Sequence, residues 1–289
     1  EVIRRMLPYV DKESAKTLSQ RRHKVLQMID QHAWDGSWYL RAWYDDGEVL
    51  GGCASSECRI DALPQCWAVL CGVSRERSAL AMDHVWRMLY ERDIGILKLF
   101  TPPFNGLEQP GYIAGYLPGI RENGGQYTHV VPWAVAAMHQ LGNDAQAWEL
   151  VLDCLPINHA LTRQQANRYR VEPYVMAADI YSHPQQRGRG GWTWYTGSAS
   201  WLYYTVLEQL FGFQKIGNSL RLRPCLPEGW DSLTLTYRYG SATYHLHATK
   251  ECPFPMADGQ QLKEGRLLLV DDGRIHEATF PIRVTEPMG

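Results

Sequence analysis

The sequence predicts a mainly α chain closed by a β region, and three observations carry that expectation. Over residues 1–212, apolar positions recur with helical spacing in one segment after another. Long loops rich in Pro and Gly fall at alternate junctions between these segments. From about residue 213 the period changes to two, between Gly, Asn, Asp and Pro turns. Helical hairpins whose long loops gather at one end are how an α/α toroid builds its site. The expectation is therefore helical hairpins over 1–212, then antiparallel strands over 213–289, with no charged or low-complexity linker between them.

Taken in order, residues 1–30 read as one helix, with Val2, Ile3, Met6, Leu7, Leu18, Val25, Leu26 and Ile29 on its apolar stripe. The segment 34–52, WDGSWYLRAWYDDGEVLGG, carries Asp-Gly at 35–36 and 46–47 and predicts a hairpin or loop. Helical spacing returns in IDALPQCWAVLCG (60–72) and stops at Gly72. A further helix spans 74–92, with Ser74 as its cap and Met82, Val85, Trp86 and Leu89 as its stripe. Residues 95–120 predict a short strand and a long loop, of a length that is often functional. Helices follow over 126–141, from Asn143 to about Leu155, near 160–168 and over 199–211. Pro173 in VEPYVMAADIYS (171–182) suits the first turn of another. NSLRLRP, SLTLTYRYGSATYHLHATK and GRLLLVDDGRIHEATFPIRV then alternate as strands.

Composition excludes several functions. The chain has 289 residues, 45% hydrophobic and 21% charged, with a net charge of −2, enough to bury a substantial core. No basic stripe suggests nucleic acid, and no apolar run reaches the roughly 20 residues of a membrane span. The first residue is Glu1, so the chain reads as a piece of something longer, without a signal peptide. Cysteines at 53, 58, 66, 71, 154, 225 and 252 fit neither CxxC nor a zinc pattern and read as free thiols in a reducing compartment. Eleven Trp and sixteen Tyr beside six Phe supply flat faces with polar edges, the combination that sugars need.

Two segments share one design. In RENGGQYTHVVPW (121–133), Gly124–Gly125 precede a helix whose first N–H groups are free to meet an anion, with His129 in its first turn. Glu122 can accept sugar hydroxyls there, and Arg121 can donate to them. In GRGGWTWYTGSASW (188–201), Gly190–Gly191 and three aromatics, Trp194 among them, precede Thr196–Gly197–Ser198 at another helix start. The plainer alternatives are a satisfied histidine after a turn and an ordinary N-cap. Glu172 and Asp179 are further candidate hydroxyl acceptors. Asp35, Asp45, Asp46 and Asp61 raise the possibility of paired carboxylates, but Asp-Gly turns account for Asp35 and Asp46.

Together HAWDGSWYLRAWYDDGEVLG, the run from Thr101 to Asn143, VEPYVMAADIYS and GRGGWTWYTGSASWLY resemble the C-terminal part of inverting glycoside phosphorylases. These are the cellobiose and chitobiose phosphorylases, and above all the phosphorylase-like C-terminal region of cyclic β-1,2-glucan synthases. The likeness runs from about 31 to 250. It implies part of an (α/α)6 barrel over 1–212 and a β-sandwich over 213–289. It implies His129, Thr196 and Gly197 as phosphate ligands, Glu122 on the donor sugar and Arg121 towards the acceptor. Glu172, Asp179 and Trp194 complete the expected sugar contacts. Inorganic phosphate is the co-substrate, β-glucan oligosaccharide the partner, and no cofactor or metal is expected. The expected location is cytoplasmic, as a free chain or as a domain of an inner-membrane protein.

One departure matters. The family's general acid is an aspartate in a W-N-D-G-M-N type motif, and no such motif occurs in these residues. The expected catalytic residue is therefore none in this chain, which is expected to be inactive alone. A half-toroid is also expected to self-associate or to need a partner supplying the other half. The alternative is a noncatalytic carbohydrate-binding or scaffold fragment of a cyclic β-1,2-glucan synthase. A related hydrolase would need two carboxylates about 6.5–9.5 Å apart, and no convincing pair is visible.

Overall fold

A computed structural model describes residues 1–106 and 110–284, so part of the long loop expected over 95–120 lies outside the described residues. Eight α-helices occur among them: α1 (Val2–Met6), α2 (Lys12–His32), α3 (Ala62–Cys71), α4 (Arg75–Leu89), α5 (Val130–Leu141), α6 (Asp144–Cys154), α7 (Arg163–Tyr169) and α8 (Ser198–Thr205). The chain divides into two compact units. One is Glu1–Gly142 with Glu149–Trp201; the other is Asn143–Trp148 with the chain from Leu202 onward.

The first unit follows its sequence signals closely at helix ends. Ser74 accepts from the Arg77 N–H to start α4, and Asp61 accepts from the Leu63 N–H to start α3. Gly72 and Gly142 close α3 and α5 in the left-handed conformation, at φ of +74° and +96°. Apolar spacing then decides the packing. Cys66 and Val69 of α3, Met82, Val85 and Leu89 of α4, and Val131, Val135 and Met138 of α5 are all buried, and α3 packs against both α4 and α5. The single helix expected over 1–30 is broken. Val10 is extended, and Asp11 caps a new helix by accepting from the Glu13 and Ser14 N–H groups. Pro8 stands just before the break, where its missing N–H costs nothing.

The expected hairpin at 34–52 forms, with Ala42–Trp43 antiparallel to Val49–Leu50 across Asp46–Gly47. The helix expected after Pro173 does not form. Residues 171–178 run through turns into the strand Asp179–Ile180, antiparallel to Gln126–Tyr127. Backbone bonds hold the segment on both sides: the Ala178 N–H donates to the Trp192 carbonyl at 2.6 Å, and the Thr128 N–H donates to the Ala178 carbonyl at 2.9 Å. A helix would forfeit both ladders, so these backbone bonds to distant partners win over the proline signal.

The second unit carries the β region. A five-stranded sheet is ordered Ser232–Tyr239, Ala242–Thr249, Ile275–Pro281, Met256–Ala257, Gln260–Gln261. A three-stranded sheet is ordered Leu267–Leu268, Ser219–Arg221, Gln214–Ile216. Strict alternation along Ala242–Thr249 buries Tyr244, Leu246 and Ala248 against Leu220, Leu267 and Phe280, so both sheets feed one core. One expectation is corrected: the pairing is not antiparallel throughout, because Ala242–Thr249 and Ile275–Pro281 are parallel. Ser232–Tyr239 turns tightly into Ala242–Thr249 and must pair antiparallel. The excursion 250–274 is long enough to return the chain to the starting edge, which makes the next pairing parallel.

Candidate functional site

The site is built by two helix starts in the first unit. Residues 119–129 fold as a compact turn whose Asn123 side chain is fully buried. It accepts from the Phe104 N–H at 2.7 Å and donates to the Phe104 and Tyr116 carbonyls. The two glycines expected to bring backbone towards a ligand serve the fold instead. A Cβ on Gly125 would lie 3.0–3.2 Å from the carbonyls of Arg121, Gly119 and Ile180, and Gly124 holds φ of +80° against Pro103. Gly190 and Gly191 are similar: a Cβ on Gly191 would stand 2.6 Å from the Asp179 carboxyl carbon. Gly197 differs. Nothing lies within 4 Å of a Cβ there, so its side of the backbone faces open space.

His129 is the N-cap residue of α5, at αR φ and ψ, one position ahead of the first turn where it was expected. Its ring is wedged edge-on between Tyr127 and Trp133, with centroids 4.6 and 4.7 Å away. Trp133 in turn meets Trp67 and Trp201. At the start of α8, Thr196 Oγ1 accepts from the Ser198 N–H at 3.0 Å and lies 2.6 Å from Ser198 Oγ. When Ser198 donates in that pair, the Thr196 hydroxyl proton is free for a ligand.

The two starts meet at one open cleft of about 650 Å³. Of the residues singled out from sequence, Arg121, His129, Trp194, Thr196 and Gly197 line it. The other three adjoin it. Glu122 acts electrostatically on His129 and Tyr127. Asp179 is wholly buried, feels both Arg121 and Glu122, and accepts from the Trp192 N–H at 3.2 Å. Glu172 sits at no helix mouth and instead accepts from Trp194 Nε1 at 3.1 Å, steadying an indole that is 71% exposed. Arg121 is held in the left-handed region, φ +52°, with its guanidinium 4.6 Å from the Trp192 ring centroid and 5.4 Å from that of Tyr116. Its Nε lies 4.0 Å from Glu122 Oε2, too far for a hydrogen bond. Arg121 Nε, Glu122 Oε2, Asp179 Oδ2 and Trp133 Nε1 are all buried and make no hydrogen bond among the described residues.

Burial sets the proton balance. It pushes His129 below the ordinary imidazole value, against an opposing pull from Glu122, so the ring is neutral at pH 7. It pushes the Asp179 carboxyl up, with the Trp192 N–H and Arg121 opposing, and it raises the Tyr127 phenol, with Glu122 adding to the effect. A histidine whose folded pKa is depressed must charge on unfolding. The unfolded state then binds more protons below about pH 6.5, and stability falls with pH from there. His129→Gln should therefore flatten part of that slope. Relative to the parent, the variant's unfolding midpoint should hold steady above about pH 6.5 and gain as pH falls below it; a difference constant at every pH would show that folding leaves the His129 pKa unshifted.

Tyr127, Trp133 and Trp201, which no sequence signal singled out, also line the cleft, with Tyr195 and Ser198 of the 188–201 segment. Trp133 was within reach, since it lies four residues after His129 and shares its helix face. Asp61 is structural: it caps α3 and pairs with Arg41 at 3.0 Å, and burial raises it to about 6. Asp35 accepts from the Ser37, Trp38 and Cys53 N–H groups in its turn.

Aromatic faces and helix N-termini at a cleft are features that sugars and anions can use. Residues 7–212 match the Glycosyl hydrolase 94 superfamily, catalytic domain, and the chain belongs to that family. It is 42% identical over 255 residues to the cyclic beta-(1,2)-glucan synthase NdvB of Rhizobium meliloti (strain 1021), covering 86% of this chain and 9% of that protein. It is 30% identical to the solabiose phosphorylase of Paenibacillus borealis, over 82% of this chain and 30% of the relative. It is also 30% identical to the N,N'-diacetylchitobiose phosphorylase of Vibrio furnissii, over 77% and 28%. The chain thus spans less than a third of the length of these relatives. Among the described residues no helix is long and apolar enough to cross a membrane.

Proposed function

We propose that this chain carries the phosphate side of a glycoside phosphorylase-type site acting on β-glucan. The observation that carries the reading is the meeting of the α5 and α8 starts. His129 and Thr196–Gly197, far apart in sequence, line one cleft. Each helix start brings the positive end of its dipole to the cleft, so a dianion between them gains from both, although the Val131 and Ser198 N–H groups are already given to the Thr128 carbonyl and Thr196 Oγ1 and Pro132 has none. In this reading a phosphate oxygen attacks the anomeric carbon of a β-glucosyl unit with inversion. The C–O bond to the leaving sugar breaks, and a general acid protonates the departing oxygen. Phosphate is already an anionic nucleophile and needs no base, so the protein's task is to hold it in line and stabilise charge.

Arg121 Nε and Glu122 Oε2, 4.0 Å apart and without a hydrogen bond among the described residues, supply a donor and an acceptor for sugar hydroxyls, Glu122 on the donor side and Arg121 towards the acceptor. Trp194 offers an exposed face for a pyranose, steadied by Glu172, while Asp179 holds the 191–192 backbone beneath it. We take the helices as part of an (α/α)6 toroid and the two sheets as a β-sandwich. The proton donor lies outside this sequence, which lacks the W-N-D-G-M-N type motif, so the chain alone does not turn over. The helix α2, none of whose residues is buried, supports a further contact, with a second copy or with the remainder of a barrel.

Titration calorimetry with inorganic phosphate is the test. Saturable binding is expected, at least tenfold weaker in His129→Ala, with no glucose 1-phosphate released from sophorose by the pure chain. Absence of phosphate binding would return the chain to the alternative of a noncatalytic glucan-binding fragment. Release of glucose 1-phosphate would place a proton donor within these residues.

A further inference from the structure

A second cavity lies elsewhere in the first unit, under α7. It has a volume of about 140 Å³ and is walled by the 92–95 turn, the 158–159 segment, α7 and Gly188. At about 30 Å³ per water it has room for several waters or one pyranose ring. Its polar groups are Arg92, Arg168, His159, Asp153, Asn158, Asp93 and Gln165; Arg92 is paired with Glu149 at 2.8 Å, and Gln165 is held in the capping box with Thr162. None belongs to the cleft described above.

Most of these groups are already engaged, and the exceptions are informative. Asp153 accepts from the Tyr90 hydroxyl, Asp93 is paired with Arg187, and Asn158 donates to the Leu152 carbonyl. The His159 ring is stacked on Tyr169, centroids 4.9 Å apart and planes at 17°, with a hydrogen bond to the Asp153 backbone. Its Nε2 is buried and unpartnered. Burial keeps that imidazole neutral, so with the other nitrogen donating, Nε2 is a bare acceptor. Arg168 rests its stem against Gly188 and makes no hydrogen bond among the described residues. The cavity therefore holds a fixed acceptor awaiting a donor and a guanidinium awaiting acceptors, beside carboxylate and amide groups.

We propose that this cavity is a second sugar subsite, which binds one glucose-sized pyranose through its hydroxyls rather than by stacking. A hydroxyl is donor and acceptor at once, so adjacent hydroxyls can donate to His159 Nε2 and accept from Arg168 in one ligand. A bare anion would satisfy Arg168, leave His159 Nε2 unpaired and face Asp93 and Asp153. Water would satisfy either group singly, but a rigid ring satisfies both without ordering several separate molecules. Such a subsite, remote from the chemistry, would hold a neighbouring stretch of glucan on the protein.

The test is nuclear magnetic resonance of the labelled chain, following the amides of Gly95 and Gly188 at this cavity and of Gly197 at the cleft. D-Glucose should shift Gly95 and Gly188 saturably. His159→Phe, which keeps the stack on Tyr169 but removes the acceptor, should weaken that response at least tenfold. Arg168→Met, which keeps the stem, should do the same, and His129→Ala should leave it unchanged. Circular dichroism and melting temperature report whether each variant is folded. The proposal is overturned if glucose leaves Gly95 and Gly188 unmoved, if folded His159→Phe responds like the parent, or if inorganic phosphate moves them and glucose does not. Because Gly197 is read in the same spectra, failure at one site is told apart from failure at the other.

Discussion

Gly191→Ala should cost at least about 2 kcal/mol of stability and abolish ligand binding at the cleft. The added methyl would stand 2.6 Å from the Asp179 carboxyl carbon, and closer still to both its oxygens. Asp179 has no room to retreat. It is wholly buried, its backbone pairs with Tyr127, and its carboxylate accepts from the Trp192 N–H. Either the carboxylate swings away, leaving a buried charge without its donor, or the 190–192 backbone lifts and takes Trp192 off Arg121. Both routes disorder the floor of the cleft. Chemical denaturation checks the stability, and loss of less than about 0.5 kcal/mol would mean the two segments are not in register as described.

Gly197→Ala should do the reverse. No atom lies within 4 Å of the position of its Cβ, and Gly197 is not among the residues at positive φ, so the fold tolerates the methyl. The methyl would instead occupy the space through which an anion reaches the start of α8. A weakening of phosphate binding on the order of thirtyfold, about 2 kcal/mol, with an unchanged melting temperature, is the expected pair of results. Unchanged binding would mean that no anion approaches that backbone. The contrast between the two glycines separates a residue that the fold requires from one that the ligand requires.

Much of the fold was legible because its signals are local. Ser74, Gly72 and Gly142 mark helix ends through short-range hydrogen bonds and backbone conformation, and they mark them in the sequence. The break at Val10–Asp11 was concealed by an apolar stripe that runs on past it. The strand at Asp179–Ile180 and the parallel pairing of Ala242–Thr249 with Ile275–Pro281 depend on partners distant in sequence, which no window of residues contains. At the site, residue types were readable but their tasks only in part. Gly124, Gly125, Gly190 and Gly191 looked like a ligand cradle and are packed against the protein's own atoms, whereas Gly197 alone of the five faces open space. Glu172 looked like a helix-mouth carboxylate and steadies Trp194. The family resemblance, by contrast, was carried by long motifs in fixed order, and the match over 7–212 bears it out.

A double-mutant cycle on phosphate affinity, with His129→Ala, Thr196→Val and the pair, measures whether one anion touches both helix starts. Each single change should weaken binding at least tenfold, and the double change should cost clearly less than the sum, because either loss already releases the shared ion. Strict additivity, or a parent chain that binds no phosphate at all, would contradict a common seat for it between α5 and α8.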